Sequence, residues 1–231
     1  MKQKIAALAA EHGIALTDAQ AQQLSEFGHI MLEKNQVMNL TAITQPDAVA
    51  QLHFLDCLYL TKAVDFAGKR VIDVGCGAGF PGVPLKIAVP QMQLTLLDSL
   101  GKRVLWLQNE ALPQVGAEAE CVVGRAEEIA LQRREQYDIA VSRAVARLNV
   151  LSELCLPFVK VDGLFVAMKG AMARQELDEA QKAITTLGGK VERIFDYPIA
   201  DATHTAVLIR KVKPTPKLYP RRYAKIKQQP L

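Results

Sequence analysis

The sequence predicts a Rossmann-like α/β fold whose core is a seven-stranded, mainly parallel sheet. Three observations carry this reading. From Arg70 onward, short apolar β-prone runs alternate with helix-period segments, and the connections between them are short. One run, Val71-Ile72-Asp73-Val74, stops in Gly75-Cys76-Gly77-Ala78-Gly79, as a buried strand does when its backbone must turn sharply beside a ligand. The last two β-prone runs are separated only by a turn, which marks an antiparallel hairpin on the sheet edge.

The elements follow in order. A small helical region over residues 1–66 comes first. It has a short amphipathic helix over 3–10 and a longer one capped by Thr17-Asp18, with Leu24, Phe27, Ile30 and Met31 on one face. The polar stretch 35–44 reads as a loop, and Pro46-Asp47 open a third helix. The main domain, 67–212, has strands predicted at 71–74, 93–97, 120–123, 137–141, 164–168, 190–195 and 204–212. Its helices are predicted at 83–89, 102–112, 126–134, 149–159 and 174–187, with a turn over 197–203 joining the last two strands. Residues 213–231 form a tail whose prolines favour an extended course and preclude a helix over 213–223.

At 231 residues, 50% hydrophobic and 23% charged, the chain is ample for a packed core and unlike a disordered one. Its four cysteines are scattered and form no CxxC or Cys/His cluster, so neither a metal site nor a disulfide framework is expected. Reduced thiols and a cytoplasmic location are the expectation. The apolar run Ile5–Ala10 is too short for a signal peptide, and no stretch approaches 18 uninterrupted apolar residues, so no membrane partner is expected. Net charge is +4, but residues 210–231 hold eight basic side chains and no acid, which leaves the rest of the chain net acidic. A concentrated basic tail is the pattern of a polyanion binder. Tyr219 and Tyr223 beside Arg221 and Arg222 offer rings and guanidiniums to unpaired RNA bases and phosphates, with Lys225 and Lys227 as further cations. Removal of this tail is expected to weaken RNA binding and to leave cofactor affinity nearly intact.

In an open parallel sheet, ligands sit beyond the carboxyl ends of the strands. Those ends bring forward Asp73 and the loop glycines Gly75, Gly77 and Gly79. They also bring Asp98 as an acceptor for two ribose hydroxyls, Gly124-Arg125-Ala126-Glu127 for an adenine edge, and Arg143 and Lys169 as the cations at the pocket mouth. His53 and Asp56, spaced i and i+3, could share a helix face toward the site. Cys76 reads as a small filler. Gly77, Gly79 and Gly82 formally spell the dinucleotide fingerprint GxGxxG, which keeps an NAD-dependent oxidoreductase open. Pro81 and Pro84, the terminal hairpin and Asp98 fit S-adenosylmethionine better, in a class I methyltransferase fold. A non-catalytic RNA-binding module is the third reading.

The motifs Asn39-Leu40-Thr41, His53-Phe54-Leu55-Asp56, the loop through Phe80-Pro81-Gly82, Leu97-Asp98-Ser99, Ser142-Arg143-Ala144, Lys169-Gly170 and Tyr219-Pro220-Arg221-Arg222 span nearly the whole chain. On these the sequence resembles the bacterial 16S ribosomal RNA guanine-N7 methyltransferases, the RsmG or glucose-inhibited division protein B family. One departure is that the tail continues Tyr223-Ala224-Lys225-Ile226, where the family usually has a glycine and a proline. The resemblance implies methyl transfer from S-adenosylmethionine, with S-adenosylhomocysteine as product, to N7 of a guanine of 16S rRNA (position 527). It also implies 16S rRNA or the small ribosomal subunit as partner, in a protein expected to be a monomer. It gives cofactor contacts to a loop glycine, Phe80, Ala126-Glu127 and Arg143. Guanine N7 carries a lone pair and no proton, so no general base is expected and Arg143 is left to position cofactor and substrate. The Asn/Asp-Pro-Pro-aromatic motif used for exocyclic amines and the Pro-Cys nucleophile are both missing from the sequence.

Overall fold

The computed structural model describes residues 1–143 and 146–231; Ala144 of the Ser142-Arg143-Ala144 motif lies outside the described residues. Among the described residues, seven strands form one sheet: β1 (Arg70–Val74), β2 (Gln93–Asp98), β3 (Glu120–Val123), β4 (Tyr137–Arg143), β5 (Val159–Lys169), β6 (Gly189–Ile199) and β7 (Ala202–Lys211). Their order is β3-β2-β1-β4-β5-β7-β6. The pairs from β3 through to β5 are parallel, and β7 is antiparallel to both β5 and β6. The strand order reverses between β1 and β4, which opens a crevice at their carboxyl ends.

Side chains alternate across the pleat. Val71, Val141 and Val166 face one core, shared with Leu24, Phe27 and Phe54 of the N-terminal helices. Ile72, Val74, Ala140 and Phe165 face the other, under helices Leu148–Cys155 and Ala173–Thr186. The N-terminal helices therefore complete one face of the sheet rather than forming a separate core. Among the described residues, no helix is long and apolar enough to cross a membrane.

Two expectations about the ordered elements change. The stretch from residue 35 is not all loop: helix Asp18–Met38 runs through it and ends at Asn39, in the left-handed region at φ 50°. Asn35 looked like a loop residue because its side chain serves the loop, accepting from the amides of Leu40 (2.6 Å) and Thr41 (2.9 Å). The same helix starts in a capping box, with Thr17 and Gln20 satisfying each other's amides. The turn predicted over 197–203 shrinks to Ala200 and Asp201, because β6 and β7 stay paired down to Ile199 and Ala202. Burial of Tyr197 and Ile199 keeps those residues in the strand.

The tail is not a free basic arm. Of its counted charges, Arg210 belongs to β7 and pairs with Glu192. Lys211 is fully buried, donating to the carbonyls of Leu156 (2.8 Å) and Val159 (3.0 Å) and pairing with Glu135. Beyond them the chain runs extended, pinned by the Arg134 guanidinium on the carbonyls of Thr215, Pro216 and Tyr219. It then forms the helix Tyr223–Gln228, which buries Ile226 in the second core. Arg221 binds the fully buried Glu153 through several bonds, among them Nη2 to Oε2 at 2.5 Å. The prolines do forbid a helix up to Tyr219-Pro220, but the apolar Ile226 had carried no weight beside its charged neighbours.

Candidate active site

The glycine loop is fastened to the ends of two strands. Ser142 Oγ donates to the Val74 carbonyl (2.7 Å), and the amides of Gly75 and Cys76 donate to the Leu97 carbonyl (2.8 and 3.1 Å). Gly75 and Gly77 hold φ of 75° and 54°, which favours glycine there. Asp98, the last residue of β2, accepts the Gly77 amide on one oxygen and the Leu100 amide on the other, both at 2.8 Å. It is thus the pin of the loop, the acceptor that closes the turn leading to the next helix and a wall of the cleft at once. That cleft, about 540 Å³, is lined by the predicted Gly75, Gly77, Phe80, Asp98, Ala126, Glu127 and Arg143, together with Thr41, Arg103, Arg125 and Tyr223. Its volume falls within the usual range for small-molecule sites. Each Asp98 oxygen keeps a lone pair for a ribose hydroxyl, and the Gly77 position has only Arg103 within 4 Å of where a Cβ would stand. A nucleoside cofactor fits such a wall of backbone, carboxylate and aromatic ring. Burial holds the Cys76 thiol well above its ordinary range, so it is protonated filler.

Two predicted cofactor residues stand behind the wall. Gly79, at φ 93°, faces away from the cleft: a Cβ there would lie 2.8 Å from Val83, 3.0 Å from Leu107 and 3.2 Å from Phe27 of the N-terminal helices. Asp73 is completely buried beneath the loop and accepts the Gly82 amide at 2.8 Å, while its other oxygen has no partner among the described residues. Both shape the loop rather than line the cleft. Burial pushes the Asp73 carboxyl up to about 7, against the opposing pull of the Gly82 amide and Arg143. A carboxyl raised in the folded state takes up a proton on folding. Its contribution is therefore fully present at acid pH and is lost as pH rises from about 4 to about 7. Carboxyl-carbon NMR should place the Asp73 titration near neutrality, and Asp73→Asn should flatten stability over that window by a few kcal/mol. A midpoint near 4 would refute the assignment.

Arg143 ends β4 beside an ionic cluster. Its Nη1 donates to His53 Nδ1 and to Asp56 Oδ2, each at 3.3 Å, and its guanidinium lies 4.9 Å from the Phe80 ring centre. Its carboxylate partner is Asp56. Asp56 Oδ1 also accepts from Tyr197 Oη (3.0 Å) and His204 Nδ1 (2.9 Å). Burial, then Arg143, pulls the His53 pKa down to about 4. The neutral ring thus accepts from Arg143 on Nδ1 and, through Nε2–H, donates to Thr41 Oγ1 at 2.9 Å. The helical segment 46–62 delivers His53 and Asp56 to this point by winding Ala50–Leu55 as a π-helix, a device common at functional sites. Tyr197 carries no signal in the sequence because residues 197–203 read as a turn, and His204 because it opens an edge strand 148 residues from Asp56.

A second cleft of about 600 Å³ opens on the other side of His53 and Arg143, lined also by Leu52, Asp56, Arg147, Lys169, Gly170, Glu176 and His204. Lys169 is only 8% exposed, and it donates to the Ala146 carbonyl (2.5 Å) and pairs with Glu176 (2.8 Å). The cation expected at the pocket mouth is thus held in the wall of this second cleft, already paired. Among the RNA candidates of the tail, Arg222, Lys225 and Lys227 are not buried. Arg221 is committed to Glu153, and Tyr219 packs against Arg221. Tyr223 lines the cofactor cleft under Arg125, 4.8 Å from its ring centre, so the tail and the cleft are not independent parts. Removal of the tail should therefore weaken cofactor binding as well, contrary to the expectation from the sequence.

The family profile described as rRNA small subunit methyltransferase G matches residues 20–200. A protein of Alkaliphilus oremlandii named ribosomal RNA small subunit methyltransferase G is 51% identical over 224 residues, 94% of this chain and 93% of its own. One of the same name from Halalkalibacterium halodurans is 46% identical over 228 residues, 96% and 95% of the two chains. Among solved structures, a mutant of MtNAS in complex with S-adenosylmethionine superposes with TM-score 0.57 at 16% identity, covering 80% of this chain and 73% of the other. An S-adenosylmethionine-dependent methyltransferase from Aquifex aeolicus gives TM-score 0.54 at 17% identity, covering 70% and 92%. At such identities these two structures show a shared fold.

Proposed function

The chain belongs to the rRNA small subunit methyltransferase G family, and from that premise we propose that it transfers a methyl group from S-adenosylmethionine to N7 of a guanine in 16S rRNA, releasing S-adenosylhomocysteine. The observation that carries the reading is the pair of clefts meeting at Arg143 and His53. One is shaped for a nucleoside cofactor and the other is open for an acceptor base. When bound, S-adenosylmethionine supplies a methyl group on a positively charged sulfur.

The chain's own residues then have two tasks. Asp98, Gly77 and the helix start at Ala126-Glu127 hold the nucleoside half, with Phe80 walling the cleft near its junction. Arg143 stands at the junction, where it positions both partners. Asp56 balances its charge, so a cation at the crossing point does not repel a cationic methyl donor. N7 has no proton to lose, and His53, held neutral, is not asked to take one. The rate gain then comes from alignment of nitrogen, carbon and sulfur, with electrostatics tuned by the Arg143–Asp56 pair. Arg222, Lys225 and Lys227 lie on the same tail that reaches the cleft through Tyr223, and they give the RNA a cationic approach. The reading takes the protein to act as a cytoplasmic monomer on rRNA or the assembled small subunit.

The test is methyl transfer from labelled S-adenosylmethionine to small-subunit RNA from cells lacking the protein, with the modified nucleotide mapped by mass spectrometry. A single 7-methylguanine is expected. Binding of NAD(H) with no S-adenosylmethionine binding would overturn the reading and restore the oxidoreductase alternative.

A further inference from the structure

The geometry points to His204 as the residue that tells guanine from adenine, by donating a hydrogen bond from Nε2 to the oxygen beside the methylated nitrogen. This rests on the guanine-N7 reading above and names the reader of the base within it. His204 lies on β7 and lines the second cleft with Arg143, its side chain 29% exposed. Nδ1 is turned to the buried Asp56 at 2.9 Å, and among the described residues Nε2 has no hydrogen-bond partner. The neighbouring polar groups of that cleft are engaged: Lys169 with Glu176, Arg147 with Glu179, and Arg143 with Asp56 and His53.

The base chemistry makes this nitrogen decisive. Guanine presents two adjacent acceptors, N7 and O6, whereas adenine presents an amino donor in place of O6. With N7 directed at the methyl group, a donor beside it welcomes guanine and leaves adenine with two facing donors. Discrimination by unpaired polar groups is strong.

Asp56 decides which His204 species donates. It accepts from Nδ1–H, so a neutral His204 carries its lone pair on Nε2 and would accept from adenine instead. Only the imidazolium donates from Nε2. The hydrogen bond to Asp56 raises the His204 pKa, opposed by burial and by Arg143, which extends the range of the imidazolium toward higher pH. The other ionisable groups around it are Tyr197 and Asp196 on β6, Lys169 on β5, His53 and Asp56 on the helical segment 46–62, and Arg147 and Glu176 across the cleft. His53 stays neutral above about 4, and burial and Asp56 push the Tyr197 hydroxyl far above its ordinary range, so neither changes charge near neutrality. Guanine preference should therefore fall as pH rises through the His204 pKa.

The experiment uses the full-length protein and a small-subunit RNA carrying either guanine or 2-aminopurine at the mapped position; 2-aminopurine keeps N7 and the 2-amino group but lacks O6. The wild type should prefer guanine in kcat/KM by roughly tenfold to a hundredfold. His204→Ala should erase most of that ratio while S-adenosylmethionine affinity stays within about twofold. His204→Gln, whose amide donates at every pH, should restore part of the ratio and remove its alkaline fall. An unchanged ratio in His204→Ala, or no guanine preference in the wild type, overturns the assignment; the second result decides even where the alanine variant does not fold. Wild-type product that is not 7-methylguanine overturns instead the reading on which it rests.

Discussion

Asp98→Ala should raise the dissociation constant for S-adenosylmethionine by at least about a hundredfold, the largest single loss expected at the cofactor cleft. Two effects meet at this one carboxylate. The loop loses the acceptor for the Gly77 amide, and the turn after β2 loses the acceptor for the Leu100 amide. Hydrogen bonds to a charged group contribute roughly 1.5–3 kcal/mol each. The ribose hydroxyls lose their partner as well. A change of about 2.7 kcal/mol already corresponds to a hundredfold. Asp98→Asn keeps one oxygen and should fall between the two. Calorimetric titration of both variants, with thermal unfolding as a check that the sheet survives, measures this. A threefold change or less in the alanine variant would show that the nucleoside is held elsewhere.

Arg221→Ala should lower folding stability by about 3–5 kcal/mol, the usual cost of stranding one member of a buried ion pair. Glu153 is fully buried, and its carboxylate takes the backbone amide, Nε and Nη2 of Arg221. Without the guanidinium that charge faces the second core unpaired. If Arg221 were one cation of a solvated tail, the same change would fall within about 0.5 kcal/mol. Urea unfolding decides between the two. Glu153→Gln combined with Arg221→Ala should recover part of the loss, because the uncompensated charge is then gone. Since the tail carries Tyr223 into the cleft, the single variant should also weaken cofactor binding, which a purely RNA-directed arm would not do.

The difference between what was and was not legible in the sequence lies in the range of the signals. All seven strands were readable because apolar runs and glycine punctuation are local, and Asp98 was readable because an acid at a strand end has few other uses. Gly79 and Asp73 were found as special positions but assigned to the wrong side of the loop, since spacing does not say which way a residue points. The Asp56 cluster was half visible: His53 and Asp56 shared a face, but their partners Tyr197 and His204 sit 141 and 148 residues beyond Asp56. The docking of the tail had one overlooked clue. Glu153 is the sole charge in the apolar run 150–159, and a buried acid demands a cation from somewhere.

The first cleft takes Thr41 from ahead of the first strand and Tyr223 from beyond the last one. This gives the site a fixed place in the order of synthesis. Chains grow from the N-terminus at roughly 5–20 residues per second, so the glycine loop is made well before the segment that closes over it. While Tyr223 is still inside the ribosomal tunnel, one wall is absent and Glu153 has no counter-ion. A protein of this design acquires the complete wall of that cleft only once Tyr223 has emerged, well after the glycine loop.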